Sequence, residues 1–157
     1  MANEDYMDQF SQPSDVKDLG IIKVFTMTPR QDPKKPGRSL SVLFDARANL
    51  VPGFGGGISY AYDNQIHEPS NPAGNHYHKV KNEFMIVMAG SFEIKAEDIH
   101  TKEKQTVVVT GQVPRQVVYV KAEVAHSVRA LEKNSDILVL ATAPNNDGDE
   151  YPYPINW

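Results

Sequence analysis

Short stretches of apolar residues alternate with polar and turn-forming residues along most of the chain. Each stretch is five to seven residues long, is rich in β-branched and aromatic residues, and is bounded by Gly, Pro, Asn or Asp, which is typical of β-strands. No stretch of helical length carries apolar residues at the 3.6-residue spacing of an amphipathic helix. The pattern therefore predicts an all-β fold with strands at residues 21–27, 39–44, 57–62, 84–88, 91–96, 105–110, 116–120, 126–131 and 136–142.

The number and close spacing of these strands predict a sandwich or a closed barrel. A length of 157 residues predicts a single domain, whose strands occupy residues 20–145. Residues 1–19 are polar and acidic, and we expect a flexible arm there. Residues 146–157 are too rich in proline for regular structure. Four large side chains of this tail can still form an ordered strap over the body or over a neighbouring subunit: Tyr151, Tyr153, Ile155 and Trp157.

The composition is that of a soluble globular protein, with 40% hydrophobic and 23% charged residues. A net charge of −4 gives no electrostatic footprint for nucleic acid or for an anionic membrane. The longest apolar run, residues 84–90, is far shorter than the ~20 residues of a membrane span. The acidic N-terminus lacks the apolar segment of a signal peptide. We therefore expect a cytoplasmic protein without nucleic-acid or membrane partners.

The stretch GNHYHKVKNEFMIVMAG, residues 74–90, contains two of the five histidines. His76 and His78 are two residues apart, so on a strand they point to the same face, with Cα atoms roughly 6.6–7 Å apart. Two imidazoles at this spacing can bind one cation, and Glu83, where the next strand begins, adds the oxygen of a 2-His-1-carboxylate set. Because the chain has no cysteine, a metal ion has only nitrogen and oxygen ligands available.

His126 opens a later strand, and in a closed antiparallel barrel it can lie opposite the first three residues. Three nitrogens and one oxygen leave a coordination position for water or substrate, which is the mark of a catalytic metal. We therefore predict one divalent ion (zinc, nickel, manganese or iron) bound by His76, His78, Glu83 and His126. His67 and His100 lie in predicted loops and are not expected to be ligands.

The same stretch resembles the first motif of the cupin superfamily, a glycine, His-x-His, a glutamate and a second glycine. These are Gly74, His76, His78, Glu83 and Gly90. The resemblance implies a small jelly-roll β-barrel with the metal inside it, usually a homodimer, over roughly residues 20–145.

The second cupin motif matches less well. His126 is present, but Lys121, Glu123 and Ala130 stand where the motif has Pro, Gly and Asn. This departure implies an altered turn before the strand and weakens the assignment of His126 as the fourth ligand.

Within the cupins, GNHYHKVKNE resembles the cupin domain of UDP-sugar epimerase–reductases of capsular polysaccharide synthesis. Gly74 to Tyr77 also resemble dTDP-4-dehydrorhamnose 3,5-epimerases. HSVRALEKNSDILVLA, followed by an acidic stretch and Tyr151, is similar to dTDP-sugar 3,4-ketoisomerases, which typically lack the glutamate that Glu83 supplies here. The resemblance implies a metal-dependent epimerase or isomerase that acts on a nucleotide-linked keto sugar in polysaccharide biosynthesis.

Such a reaction needs a base for the proton beside the ketone, an electrophile for the enolate oxygen, and an acid. His76 matches the base of the 3,5-epimerases, a role open to it only if it does not bind the metal. Tyr60 and Tyr62 share one face of a predicted strand and are candidates for the acid. Arg30 and Arg38 are candidate ligands of the nucleotide diphosphate.

Two alternatives come from other functional classes. Three histidines and one glutamate equally suit an iron- or nickel-dependent cupin dioxygenase. A non-catalytic cupin that binds a small molecule would need the barrel but not the acid–base groups.

Overall fold

The computed structural model describes residues 11–31, 34–51, 57–69 and 72–157, so the first ten residues of the predicted arm lie outside it. The described chain contains no α-helix, and no helix in it is long and apolar enough to cross a membrane. The strands are β1 (Pro13–Asp18), β2 (Ile22–Met27), β3 (Pro29–Gln31), β4 (Ser39–Ser41), β5 (Tyr60–Ile66), β6 (Ala73–Tyr77), β7 (Glu83–Ala89), β8 (Ser91–Asp98), β9 (Lys104–Thr110), β10 (Gln116–Val120), β11 (Val124–Ala130), β12 (Ser135–Ala141) and β13 (Tyr151–Pro152).

Two antiparallel sheets form the body of the protein. One has the order β1-β2-β10-β7-β12-β5 and the other the order β13-β6-β11-β8-β9, while β3 and β4 form a separate hairpin. The non-consecutive neighbours in both sheets mean that the chain crosses repeatedly between them, as in a jelly roll. The predicted all-β jelly-roll fold is confirmed.

The hydrophobic core lies between the two sheets. β8 shows the strict alternation of a half-buried strand, with Phe92, Ile94 and Ala96 pointing inward. β7 is buried on both faces, because Met85 and Val87 join this core while Phe84 and Ile86 join a second cluster on the outer face of the six-stranded sheet. Side chains from residues 43–51 and Ile58 cover that second cluster.

Every predicted strand is present. The structure differs from the prediction at the ends of some strands and in additional short strands that were not predicted. Residues Pro13–Asp18, predicted as part of a flexible arm, instead form the edge strand β1 paired with β2. Five of its six residues are exposed, so it carries no hydrophobic alternation from which a strand could be predicted. β3, β6 and β13 also lie outside the predicted strands. Since they contain two to five residues each, their pairing depends on neighbours that are distant in sequence.

The C-terminal tail is an ordered strap over the body, one of the two arrangements expected for it. Tyr151 stacks on Tyr77 with 5.1 Å between the ring centroids. Trp157 donates from Nε1 to Ser127 Oγ at 3.1 Å, and the cationic groups of Lys95 and Arg129 lie 4.7 and 4.6 Å from its ring. The expected absence of regular structure is wrong for Asp147–Asp149, which form a 3-10 turn, and for Tyr151–Pro152, which pair with β6 as β13.

Candidate functional site

A β-bulge places the first histidine. In the pairing of β6 with β11, His126 lies opposite His76, but Ser127 lies opposite Gly74, so Asn75 is an extra residue. Gly74 and Asn75 both have positive φ, at 91° and 59°. A bulge of this kind redirects side chains and is common next to functional sites. Here it places His76 beside His126.

We predict that Gly74→Ala lowers the free energy of unfolding by about 1–3 kcal/mol, because a side chain at positive φ is strained. An added Cβ would also lie 2.8 Å from the carbonyl oxygen of His126. Urea unfolding measures the effect. Gly57→Ala is the control, since its Cβ would meet nothing within 4 Å. Equal stability of both variants would contradict this account of the bulge.

Three imidazoles meet at one end of the cavity between the sheets. His76 lies on β6, His78 directly follows β6, and His126 lies on β11. One ring nitrogen from each lies within 4.8 Å of the others. The centroid distances are 4.7 Å for His76–His78, 5.0 Å for His76–His126 and 5.8 Å for His78–His126. The structure thus brings together the three histidines that the sequence singled out.

Glu83, the first residue of β7, lies beside this cluster, next to His126 and His78, and is 2% exposed. Its Oε2 lies 3.0 Å from His126 Nε2, and its Oε1 lies 3.9 Å from His78 Nε2. Burial raises the pKa of Glu83, but the contact and charge of His126 and the charges of Lys81 and His78 outweigh it. The pKa of this carboxyl therefore lies well below its usual range, and Glu83 is ionised at neutral pH.

The outer nitrogens of two rings are fixed by main-chain carbonyls. His78 Nδ1 lies 2.5 Å from the carbonyl oxygen of Asp149, and His126 Nδ1 lies 3.2 Å from that of Val124. A carbonyl oxygen only accepts, so each Nδ1 carries the hydrogen. Burial lowers the pKa of His78, so its neutral ring carries a lone pair on Nε2, which within the described residues has no hydrogen-bond partner. A buried carboxylate with two imidazole Nε2 atoms directed at it is a set of groups that suits a cation, which binds the deprotonated form of each.

His76 differs from the other two histidines. Its Nδ1 lies 3.3 Å from Glu150 Oε1, and its side chain is 18% exposed, against 3% for His78. Burial, followed by the charges of His126 and His78, lowers the pKa of His76 to about 4. The ring is therefore neutral at pH 7 and keeps a lone pair.

This lowered pKa predicts how the stability of the metal-free protein depends on pH. Between the unfolded value of 6.5 and about 4, the unfolded chain binds a proton at His76 that the folded chain does not. The contribution of His76 is thus fully present above pH 6.5 and falls as the pH falls to about 4. Urea titrations above and within this window should give a lower midpoint within it, and His76→Asn should flatten the difference. An equally steep profile in this variant would assign the dependence to other groups.

His76 and His126 line a cavity of about 180 Å³ between the sheets. Tyr62 and Asn64 of β5 form its opposite polar wall, and four apolar side chains complete the lining: Met85, Val128, Ile137 and Val139. The Tyr62 hydroxyl lies 3.5 Å from Glu83 Oε1. Burial and the charge of Glu83 raise the pKa of Tyr62 well above its usual range, so its hydroxyl keeps its proton. The ring of Tyr60 lies 5.7 Å from that of Tyr62.

The predicted phosphate ligands lie elsewhere. Arg30 and Arg38, with Lys35, line a separate cavity of about 140 Å³ at the β3–β4 hairpin. As far as the chain is described, this cavity shares no lining residue with the histidine cavity. His67 and His100 are exposed and lie outside the cluster, as expected.

Three site residues escaped the sequence interpretation. Lys81 is buried, with Nζ 3.2 Å from Glu83 Oε1 and 2.9 Å from Asn145 Oδ1. Lys81 lies two residues before Glu83, and two such residues share a face of an extended chain. This spacing could have predicted that Lys81 lies next to Glu83. Asp149 and Glu150 lie more than 60 residues from the histidines that they contact, and no local pattern could connect them.

The turn before His126 forms despite the degenerate second motif. Glu123, at the place of the motif's glycine, has a φ of 66°, and its N–H donates to the carbonyl of His78 at 2.7 Å. The main chain thus keeps the left-handed conformation that glycine favours. His126 reaches the cluster, and the motif's departure does not displace it.

The fold and the inward-facing histidines define the class of protein, which is a cupin. The WlaRB TDP-quinovose 3,4-ketoisomerase from Campylobacter jejuni is 21% identical, with a TM-score of 0.68 over 85% of this chain and 93% of that chain. The dTDP-6-deoxy-D-glucose-3,5-epimerase RmlC from Legionella pneumophila, solved with dTDP-4-keto-L-rhamnose, is 16% identical, with a TM-score of 0.74 over 88% and 76%. The capsular polysaccharide assembling protein CapF from Staphylococcus aureus is 21% identical, with a TM-score of 0.55 over 60% of this chain and 27% of that one.

The family follows from the sequence match. The model of the family described as "FdtA: WxcM-like, C-terminal" matches residues 35–153, which is most of the chain and includes the whole histidine cluster. This chain belongs to that family. No curated protein matches the chain significantly. The predicted resemblance to cupins of sugar-nucleotide metabolism is confirmed.

Proposed function

We propose that this protein is an isomerase or epimerase acting on a nucleotide-linked keto sugar. The observation that carries the proposal is the position of His76. Its neutral imidazole lines the cavity, and the Glu150 carboxylate lies 3.3 Å from its Nδ1. Family membership supports the reaction class. Two structures of the same fold are a TDP-sugar 3,4-ketoisomerase and a 3,5-epimerase in complex with a dTDP-keto sugar, which supports the substrate class.

His76 is suited to act as the base. The Glu150 carboxylate lies 3.3 Å from Nδ1. This negative charge favours a hydrogen on Nδ1 and a lone pair on Nε2, and it would stabilise the imidazolium that forms when a proton is taken up. His76 takes a proton from the carbon beside the sugar ketone. In epimerisation the acid delivers a different proton to the same carbon from the opposite face. In ketoisomerisation a proton is delivered to the former carbonyl carbon, while the neighbouring hydroxyl loses its proton and becomes the ketone.

Tyr62 is suited to act as the acid on the opposite wall. Its hydroxyl is protonated at neutral pH and faces the same cavity as His76. A donor and a base on two walls can serve opposite faces of one sugar ring. Tyr60, whose ring neighbours that of Tyr62, supports its orientation.

We further propose that His78, Glu83 and His126 hold a divalent metal ion. The support is the unpartnered, buried Nε2 of His78, the buried carboxylate of Glu83, and the Nε2 of His126, which lies 3.0 Å from that carboxylate. A metal ion bound there would supply a Lewis acid for the sugar ketone. Of the two exclusive roles that the sequence predicted for His76, the contact with Glu150 favours the base. Zinc, nickel, manganese and iron all remain candidates for this nitrogen and oxygen set.

Other features of the proposal rest on the sequence. The homodimer is a proposal from family resemblance, and the cytoplasmic location is a proposal from the sequence pattern. The roles of Arg30 and Arg38 as phosphate ligands would require the β3–β4 hairpin to meet a substrate that extends beyond the described cavity.

Solvent deuterium exchange tests the proposed function. A nucleotide-linked 4-keto-6-deoxyhexose incubated with the protein in D₂O should gain deuterium at a carbon next to the ketone, as followed by NMR and mass spectrometry. The same assay with Tyr62→Phe should be slower, because the acid is lost, with Tyr77→Phe as a control outside the cavity lining. Absence of exchange with a panel of such sugars would contradict the proposal. Oxygen consumption by the iron-loaded protein would instead favour the dioxygenase, and metal binding without either reaction would favour the binding protein.

A further inference from the structure

One residue of the C-terminal segment after β12, Asp149, contacts the site in two ways. The main-chain carbonyl of Asp149 accepts a hydrogen bond from His78 Nδ1 at 2.5 Å. This contact decides which nitrogen of His78 carries the hydrogen, and it directs Nε2 toward Glu83. The partner that fixes His78 is therefore a residue 71 positions further along the chain.

The side chain of Asp149 makes the second contact. Its carboxylate accepts hydrogen bonds from the N–H groups of Lys79 at 2.8 Å, Val80 at 3.3 Å and Lys81 at 3.2 Å. These three residues form most of the connection between His78 and Glu83. Asp149 thus fixes two parts of the site. Its carbonyl orients the ring of His78, and its carboxylate holds the turn that leads from His78 to Glu83.

The rest of the segment keeps Asp149 in place. β13 pairs with β6, with Tyr151 opposite Tyr77, and Tyr153 N–H donates to the carbonyl of Asn75 at 2.7 Å. The Tyr153 hydroxyl donates to Glu97 at 2.5 Å. Asn145, near the start of the segment, accepts from Lys81 Nζ.

The barrel itself depends little on these contacts. Lys79 and Val80 are exposed, so water can satisfy their N–H groups when the carboxylate is absent. The core between the sheets contains no residue of the segment 145–157. Loss of the Asp149 carboxylate should therefore loosen the site while the fold survives.

We propose that Asp149 is a positioning residue, and that docking of the C-terminal segment sets the tautomer of His78 and the conformation of the turn to Glu83. Its use in catalysis rests on the proposed function, but the arrangement of His78 can be tested without substrate or metal. The arrangement around His78 is complete only when the segment lies on β6.

The experiment compares Asp149→Ala and Asp149→Asn with Asp147→Ala, which removes an exposed carboxylate from the same turn. Long-range ¹H–¹⁵N spectra of the metal-free, histidine-labelled full chain report the protonated nitrogen of each ring. The wild type and Asp147→Ala should show His78 with hydrogen on Nδ1 only, and Asp149→Ala should show both tautomers. Asp149→Asn, whose amide oxygen still accepts, should lie between. Zinc affinity, measured by competition with a chelator, should fall about 10–100-fold in Asp149→Ala.

An unchanged His78 spectrum in folded Asp149→Ala, or the same change in Asp147→Ala, would overturn the proposal. If Asp149→Ala does not fold, Asp149→Asn decides, because a wild-type spectrum there would also overturn it. If the wild type shows neither metal binding nor solvent exchange, the proposed function fails, while the spectra still decide the role of Asp149.

Discussion

Glu83→Gln should lower the affinity of the protein for a divalent metal ion by about 100-fold or more while the barrel remains folded. The substitution keeps the size of the side chain but removes the only buried carboxylate among the described groups around the three histidines. The carboxylate and the bound ion would form a buried charged pair. Removing one partner of such a pair costs about 3–5 kcal/mol, and 1.4 kcal/mol corresponds to a factor of ten in affinity. Metal content by elemental analysis, with affinity from chelator competition, measures the effect.

Glu68→Gln is the matched control for this prediction. Glu68 is an exposed carboxylate that pairs with Lys133 at 2.9 Å, remote from the cavity lining. Its loss should leave metal binding unchanged. Full metal occupancy in Glu83→Gln would show that this carboxylate is not a ligand, and the ion would then be held by other groups, for which the three histidines are the candidates.

The second large effect concerns the division of roles between His76 and His78. His76→Asn should reduce solvent exchange into the keto sugar about 10²–10⁴-fold, the usual contribution of a general base, while bound metal stays near the wild-type level. His78→Asn should lower bound metal strongly. The different partners of the two rings, Glu150 for His76 and the Asp149 carbonyl for His78, are the physical reason for the contrast.

Equal metal loss in His76→Asn and His78→Asn would make His76 a ligand, and the base would have to come from another group in the cavity. Glu150→Gln provides a further comparison, because it retains both imidazoles and removes the charge behind His76. It should slow exchange and leave metal content unchanged. Exchange at the wild-type rate in this variant would remove Glu150 from the mechanism.

The sequence predicted those parts of the molecule that have a local signature. β8 was predictable because its side chains alternate strictly between core and solvent, and the histidines because a spacing of two places them on one face. β1 was not, since an exposed edge strand obtains its structure from pairing with β2 rather than from burial. Asp149 and Glu150 could not be connected with the site, because only the path of the C-terminal segment brings them to His78 and His76.

One polar residue of the cavity lining, Asn64, has no role in the proposed proton transfer. It lies on β5, the end strand of its sheet, two residues beyond Tyr62. Substitutions at this position can reshape the space offered to a substrate while Tyr62, the bulge, the histidines and their carbonyl partners stay in place. Substrate preference within this architecture can therefore diversify at one position of an end strand, with the proton-transfer groups unchanged.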